Sequence, residues 1–384
     1  MTLSFEVLDT CGAARRGRLA TPHGVVDTPA FMPVGTLGAV KGVTPPALEE
    51  AGAAILLANL YHLTLRPGID VIERLGGLQA FTGWGGPMIT DSGGFQVWSL
   101  GALRSVDTDG VTFRSHLDGS PVRFTPESVV ASQERMGVDI AMVLDECPPW
   151  PIDPAAAAAS WERTLGWARR ARQAWRREDA TGLFGIVQGS VYRGLRERAA
   201  GELAELDFAG YAIGGVSVGE PSPERRTVVE WTAPLLPADR PRYLMGVGYP
   251  EDILHAVLQG VDLFDCVLPA RNARHGVLFT REGVLKIKNA RFRDDPAPLD
   301  AECGCPACTR GSRAFLHHLA RAGEITAAVL ATLHNVRFYL DFMAGLRQSI
   351  TLGTLSDLAA PRAARSIPYE HRSSTQDPSA GGLT

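Results

Sequence analysis

Short apolar runs of β-forming residues recur along the first two thirds of the chain, each ending in or close to a polar or glycine residue. They cover Ala30 to Pro33, Ala54 to Ala58, Met88 to Thr90, Ile140 to Leu144, Leu183 to Val187, Tyr211 to Ile213, Tyr243 to Met245 and Leu263 to Phe264. Most are separated by helical sequence with recognisable starts. Asp153-Pro154 supplies an N-cap and first-turn signal ahead of an alanine run and Trp161, and Pro250 leads into Asp252 to Leu258. Strands alternating with helices require crossover connections, and closing the sheet removes its edges, so the pattern predicts an α/β fold of the (β/α)8 TIM-barrel type. A doubly wound open sheet is the structural alternative. The long interval after the third run holds Asp109-Gly110 and Asp118-Gly119 between Val111, Phe113, Val122 and Phe124, which predicts β-hairpins inserted around residues 101–125. The expected organisation is a catalytic barrel over 1–299, a small subdomain over 300–347 and a disordered tail over 361–384, where apolar residues are few.

Composition narrows this picture. Hydrophobic residues make up 45% and charged residues 21% of 384, a globular balance. The longest strongly apolar stretch, Ala53 to Ala58, is broken by Asn59 and His62, so no membrane span is expected. The first ten residues carry Glu6 and Asp9 and no positive region, unlike a secretory signal, and a cytoplasmic protein is expected. The formal net charge is −4. Locally the balance reverses: Arg271, Arg274, Arg281, Lys286, Lys288, Arg291 and Arg293 stand against Glu282 alone. That segment could follow a phosphate backbone or form a solvated face. The run Arg163, Arg169, Arg170, Arg172, Arg176 and Arg177 shares a predicted helix with Trp161, Leu165, Ala168 and Trp175 and reads as a solvated face.

Candidate chemistry lies where barrel strands end, because working residues of this fold project from the C-terminal ends. Those positions carry Asp91, Asp145, Gln188, Gly214-Gly215, Met245-Gly246 and Asp265. A single aspartate there could merely cap a helix, but several converging carboxylates suit the nucleophile and acid/base work of glycosyl transfer. The loops Asp91 to Gln96 and Gly214 to Glu220 are glycine-rich and admit a planar ligand close to the backbone. Neither matches a phosphate loop or a dinucleotide fingerprint, so no nucleotide cofactor is expected. Three of the six cysteines, Cys303, Cys305 and Cys308, fall within six residues. With one histidine they would form a closed tetrahedral structural zinc site; His317, His318 and His334 are all candidates for the fourth ligand, His334 having the reach to pin a following amphipathic helix.

The collinear strings TDSGGFQVWSLG from Thr90, DECPP from Asp145, GIVQG from Gly185, GYAIGGVSVGE from Gly210, YLMGVG from Tyr243, FDCVLPARNARHG from Phe264, and CGCPACTR from Cys303 with HN at His334 make the sequence resemble the bacterial queuine tRNA-ribosyltransferases, or tRNA-guanine transglycosylases. The resemblance runs from about Phe5 to Arg347. It implies exchange of the wobble guanine of GUN anticodons, in the tRNAs for Asp, Asn, His and Tyr, for 7-aminomethyl-7-deazaguanine (preQ1) in queuosine biosynthesis. It also implies a covalent enzyme–RNA intermediate and one structural zinc ion per chain.

Carried over by motif, Asp265 is the nucleophile at ribose C1′ and Asp91 the acid/base for the purine ring. Asp145, Gln188 and the Gly215 backbone hydrogen-bond the base edge, Phe95 and Met245 sandwich its faces, and Arg271 and Arg274 meet the neighbouring anticodon nucleotides. The metal ligands are Cys303, Cys305, Cys308 and His334. A flat heterocycle calls for such an arrangement, with stacking above and below and polar groups at its rim. Val216, Ala270 and Tyr249 depart from the usual bacterial residues. Phe81, Phe315 and His318 match the family's aromatic dimer patch, although Gly311 stands where some members carry Trp; a homodimer is expected. Val218 would crowd the cyclopentenediol of queuine, favouring the smaller precursor. Two other classes compete: a barrel hydrolase of glycosides or nucleosides using the Asp91 and Asp265 pair, and a non-catalytic tRNA-binding subunit, which would have no need of either carboxylate.

Overall fold

The computed structural model describes residues 3–100, 104–177 and 181–359. The chain opens with an antiparallel meander of β1 (Ser4–Cys11), β2 (Ala14–Thr21) and β3 (Gly24–Thr28), and enters a barrel through β4 (Ala30–Gly35), β5 (Leu56–Ala58) and β6 (Met88–Thr90). A three-stranded antiparallel sheet then intervenes, made of β7 (Arg104–Asp107), β8 (Gly110–Arg114) and β9 (Pro121–Phe124). The barrel resumes with β10 (Ile140–Met142), β11 (Gly182–Val187), β12 (Gly210–Ile213), β13 (Arg242–Leu244) and β14 (Leu263–Cys266), followed by a hairpin of β15 (Val277–Thr280) and β16 (Gly283–Lys286).

Barrel strands are parallel and follow one another around the ring in chain order. Closure is made by β14 on β4, with Leu263 opposite Ala30 and Cys266 opposite Pro33. That seam excludes the open sheet, and each of the eight apolar runs supplies one stave. Every residue of β4, β11 and β12 is buried, as expected when the barrel interior lies on one face and the helical shell on the other. Local signals set the helices between them. Thr125 and Ser128 form a reciprocal capping box at the start of Pro126–Met136, and Gly137 ends that helix at φ 70°. Asp153 caps Pro154–Ala174 through the amides of Ala155 and Ala156, both at 3.0 Å. On that helix Trp161, Leu165 and Ala168 are buried, and Arg163 and Arg170 pair outward with Glu146 and Glu127.

The N-terminal meander covers the end of the barrel opposite the C-terminal strand ends, a feature the apolar runs did not announce. Its buried Arg15 forms two hydrogen bonds to Asp262, at 2.9 and 2.5 Å, and also donates to the carbonyls of Ala238 and Arg240. Asp262 in turn accepts from the Arg242 amide at 2.7 Å, so one carboxylate joins the meander to the starts of β13 and β14. The inserted sheet docks at the C-terminal end of the barrel strands through Phe113, Phe124, Tyr61 and His116.

A second buried cluster involves the β15–β16 hairpin and includes Leu278, Ile287, Phe292, Leu316 and the three clustered cysteines. The helix Ile325–Leu352 belongs to both cores. Ala327 and Ala331 pack in the second cluster, and Val336, Tyr339, Met343, Leu346 and Ile350 pack against the barrel. At 1.5 Å per residue this 28-residue helix is about 42 Å long and continues past residue 347, where the subdomain was expected to end. None of the described helices is long and apolar enough to cross a membrane. The tail expected to be disordered lies beyond the described residues.

Candidate active site

Asp91 follows β6 directly, where its buried carboxylate accepts hydrogen bonds from the Asn59 side chain and, at 2.9 Å, from the Leu60 amide. Burial pushes its pKa up to about 6, and the nearby Asp265 carboxylate adds to the rise, while the donors from Asn59, Leu60 and Gln96 oppose it. A carboxyl group brought this close to neutrality can hold and release a proton under physiological conditions.

Asp265 lies on β14 itself. Its Oδ1 accepts from the Tyr243 hydroxyl at 2.6 Å and from the Gly246 amide at 2.8 Å. Burial raises this carboxyl too, and those two donors pull it back. Both bonds fall on one oxygen, so Oδ2 is left without a hydrogen bond among the described residues. An orientation fixed by one oxygen with the other available is what a carboxylate nucleophile requires. Tyr243 is wholly buried beside Asp265, and its hydroxyl is held well above the usual phenol range by burial and by the Asp265 charge. It therefore remains a donor.

A second polar group forms between β10, β11 and β12. Buried Asp145 accepts from the Ser92 hydroxyl at 2.8 Å and from the Gln188 amide at 2.7 Å, and burial raises its pKa. The other end of the Gln188 amide, Oε1, is buried without a partner among the described residues. Gly215 sits against it at φ 62°: a Cβ there would come within 2.2 Å of that oxygen, so neither the conformation nor the space admits a side chain. Gly94 is similarly confined by Asp145, whose backbone oxygen would lie 2.4 Å from an added Cβ. Phe95, next along, is exposed and neighbours Trp98 at 6.0 Å between ring centroids. Met245 is half-buried at the end of β13, its amide bonded to the Ile213 carbonyl at 3.3 Å.

Every strand-end residue named from the sequence thus lies at the C-terminal end of the barrel strands. Asp91 and Asp265 lie near enough for the charge of the second to raise the first, and Asp145, Gln188, Ser92 and Gly215 form one packed group. Arg271 and Arg274 lie exposed on the helix Leu268–Arg274 and, with Lys41, line a cavity of about 200 Å³ that also reaches Cys266 and Val267 beside the Asp265 strand. Lys41 was not singled out from the sequence. Neither were Asn59, Ser92 and Tyr243, although Asn59 directly follows β5 and could have been read by the same strand-end rule.

Glu220 accepts from the amides of Ser217 and Val218 and pairs with Arg225, so a buried carboxylate shapes the loop after Gly215.

The cysteine cluster is a separate site. Cys303, Cys305, Cys308 and His334 are buried, with their ligand atoms all within 4.8 Å of one another. His334 Nδ1 lies 3.6, 3.5 and 3.3 Å from the three sulfurs. Tetrahedral zinc with ordinary bond lengths would separate sulfur and nitrogen ligands by roughly 3.6 Å. His334 Nε2 is 2.8 Å from the Phe279 carbonyl, a contact that places the ring proton on Nε2 and leaves the Nδ1 lone pair facing the sulfurs. His317 instead contacts the Ile287 carbonyl, which removes it from the candidates. This donor set can bind a metal ion, and its chemistry suits structural zinc.

Residues 9–367 match the family model described as queuine tRNA-ribosyltransferase. The queuine tRNA-ribosyltransferase of Desulforudis audaxviator is 55% identical over 352 residues, 91% of this chain and 95% of that protein. Those of Marinobacter nauticus and Aromatoleum aromaticum are 52% and 53% identical, each over 93% of this chain and over 96% and 97% of their own lengths.

Proposed function

The chain belongs to the queuine tRNA-ribosyltransferase family, and from that premise we propose that it is a pentosyltransferase exchanging the wobble guanine of GUN-anticodon tRNAs for preQ1. The observation that carries this reading is the pairing of two unlike aspartates at one barrel mouth. Asp265 has one oxygen anchored by Tyr243 and Gly246 and the other available, as attack on C1′ requires. Asp91 is raised to about 6, which suits protonation of the departing guanine followed by acceptance of a proton from the incoming base.

In the proposed sequence, Oδ2 of Asp265 bonds to C1′ as the bond from C1′ to guanine breaks, and Asp91 supplies the proton that lets guanine leave neutral. The ribosyl ester is then displaced by the ring nitrogen of preQ1, whose proton passes to Asp91. Asp145 accepts from the purine's N–H donors, Gln188 fixes the Asp145 carboxylate, and Phe95 and Met245 cover the ring faces. Arg271, Arg274 and Lys41 hold the neighbouring nucleotides, so the exposed cationic cavity receives RNA rather than only water. The metal site folds the region around residues 303–334 and takes no part in the reaction: four protein ligands leave zinc no open position. A cytoplasmic homodimer using the Phe81, Phe315 and His318 patch completes the reading.

The test is exchange of labelled guanine into bulk tRNA. Wild-type protein should incorporate label and form an RNA adduct stable on denaturing gels. Asp265→Ala should abolish both. An adduct at wild-type yield in that variant would assign the nucleophile elsewhere.

A further inference from the structure

Arg196, on the helix Arg193–Ala204, is fully buried directly behind the purine-edge group. Its guanidinium hydrogen-bonds to no carboxylate among the described residues. It donates instead to four backbone carbonyls: Ser190 at 2.8 Å, Val187 at 3.1 Å, Gly214 at 2.8 Å and Gly215 at 3.2 Å. Two of these flank Gln188 at the end of β11, and two belong to the glycine pair at the end of β12. Burial lowers its pKa to about 10, so the group keeps its charge at neutral pH. An isolated buried cation is costly, and neutral carbonyls repay that cost less fully than a carboxylate would.

We infer that Arg196 is a positioning residue that aims the Gly215 N–H at the oxo group of the bound purine and polarises it. This rests on the base-exchange reading above. A trans peptide is planar, with its C=O and N–H pointing in opposite directions. Drawing the Gly214 carbonyl onto the guanidinium therefore turns the Gly215 N–H away from Arg196 and toward the Cys147 thiol, whose pKa that amide lowers. The next carbonyl, that of Gly215, also points to Arg196. Two successive carbonyls facing one cation call for a left-handed residue between them, which Gly215 supplies at φ 62°. Space behind the site is equally committed: a Cβ on Gly189 would lie 3.2 Å from the Arg196 backbone nitrogen and side chain. A positive charge at the carbonyl end of this peptide strengthens its N–H as a donor, most of all when negative charge develops on the purine oxygen as the base departs.

The test compares binding of guanine and 6-thioguanine by calorimetry, since the two differ only in the acceptor at position 6 and keep the same N1–H. Arg196→Lys retains a charge but cannot reach four carbonyls; Arg196→Gln removes the charge. Both should lower the preference for guanine over 6-thioguanine by about tenfold, the scale of one hydrogen bond to a polarised acceptor, and should lower kcat for exchange more than they raise KM for tRNA. Thermal melts establish that the variants are folded. An unchanged preference, with both affinities falling equally, would overturn the inference and leave Arg196 a scaffold residue, as would loss of the folded state in both variants. Wild-type protein that neither binds guanine nor exchanges it would overturn the base-exchange reading itself, and this inference with it.

Discussion

The burial that raises the Asp91 carboxyl carries a cost in stability. Its folded-state pKa of about 6 lies above the ordinary 3.8, so the folded protein binds this proton more tightly than the unfolded chain does. The resulting stability is fully present below about pH 4 and is lost as pH rises through about 6; a shift near two units corresponds to about 3 kcal/mol. Asp91→Asn cannot ionise and should therefore melt higher than wild type at pH 7 while matching it near pH 4. Parallel melting curves across that range would show that the raised pKa is not realised. Strand-end aspartates could be found in the sequence because barrel geometry gives those positions one destination. Their partners could not: Tyr243 lies inside a three-residue strand and Arg196 within a helix, and nothing local to either says that one faces Asp265 and the other a row of carbonyls.

Among the elements, the long C-terminal helix carries the most. His334 stands where it can meet the cysteines, and the same helix sends Tyr339 to the Gly248 carbonyl at 2.6 Å and Asn335 to the Phe279 amide at 3.0 Å. Freshly purified protein should contain one zinc per chain. Chelation, or Cys305→Ser, should destabilise the cluster around Leu278, Ile287 and Leu316 by several kcal/mol, because metal affinity here is folding energy. Loss of RNA binding should accompany it, since the helix Leu268–Arg274 packs on this one. Protein free of zinc, or an unchanged melt after chelation, would count against the assignment. The cysteine spacing made the cluster legible, but three histidines competed on paper. Phe279 decided for His334 through a backbone carbonyl that no spacing rule encodes. The inserted sheet was announced by its turn dipeptides, whereas the N-terminal meander was passed over because its strands are only half apolar: β1 reads SFEVLDTC, with Ser4, Glu6, Asp9 and Thr10 among Phe5, Val7, Leu8 and Cys11.

At the scale of the whole molecule, the two ends of the barrel do different work. One end carries Asp265, with one oxygen free of hydrogen bonds among the described residues, beside Asp91 and Asp145, which are held by neutral donors rather than by cations. The other carries Asp262 and Asp139, whose oxygens are taken up by Arg15, the Arg242 amide, the Met88 amide and Gln79. Arg15→Ala should cost about 3–5 kcal/mol, the scale for stranding one partner of a buried ion pair, and should leave exchange per folded molecule unchanged at permissive temperature. A melt within about 1 kcal/mol of wild type would show that the meander is not held by this pair. The barrel itself was legible because eight doubly buried staves leave a strong apolar signature, which the half-exposed sheets packed on it do not.

The seam between β14 and β4 joins residues separated by nearly the whole length of the barrel. During synthesis, β4 emerges early and its outer edge has no partner until β14 follows about 230 residues later. At ~5–20 residues per second, that is an interval of roughly 12–45 s. Throughout it the nascent chain exposes an unpaired row of amides and carbonyls next to some of its most apolar sequence. A ribosome stalled before Leu263 would therefore present an open sheet rather than a shorter version of the protein. The vulnerable period of this protein's life is set by the distance between two strands in the message, not by the stability of the ring they complete.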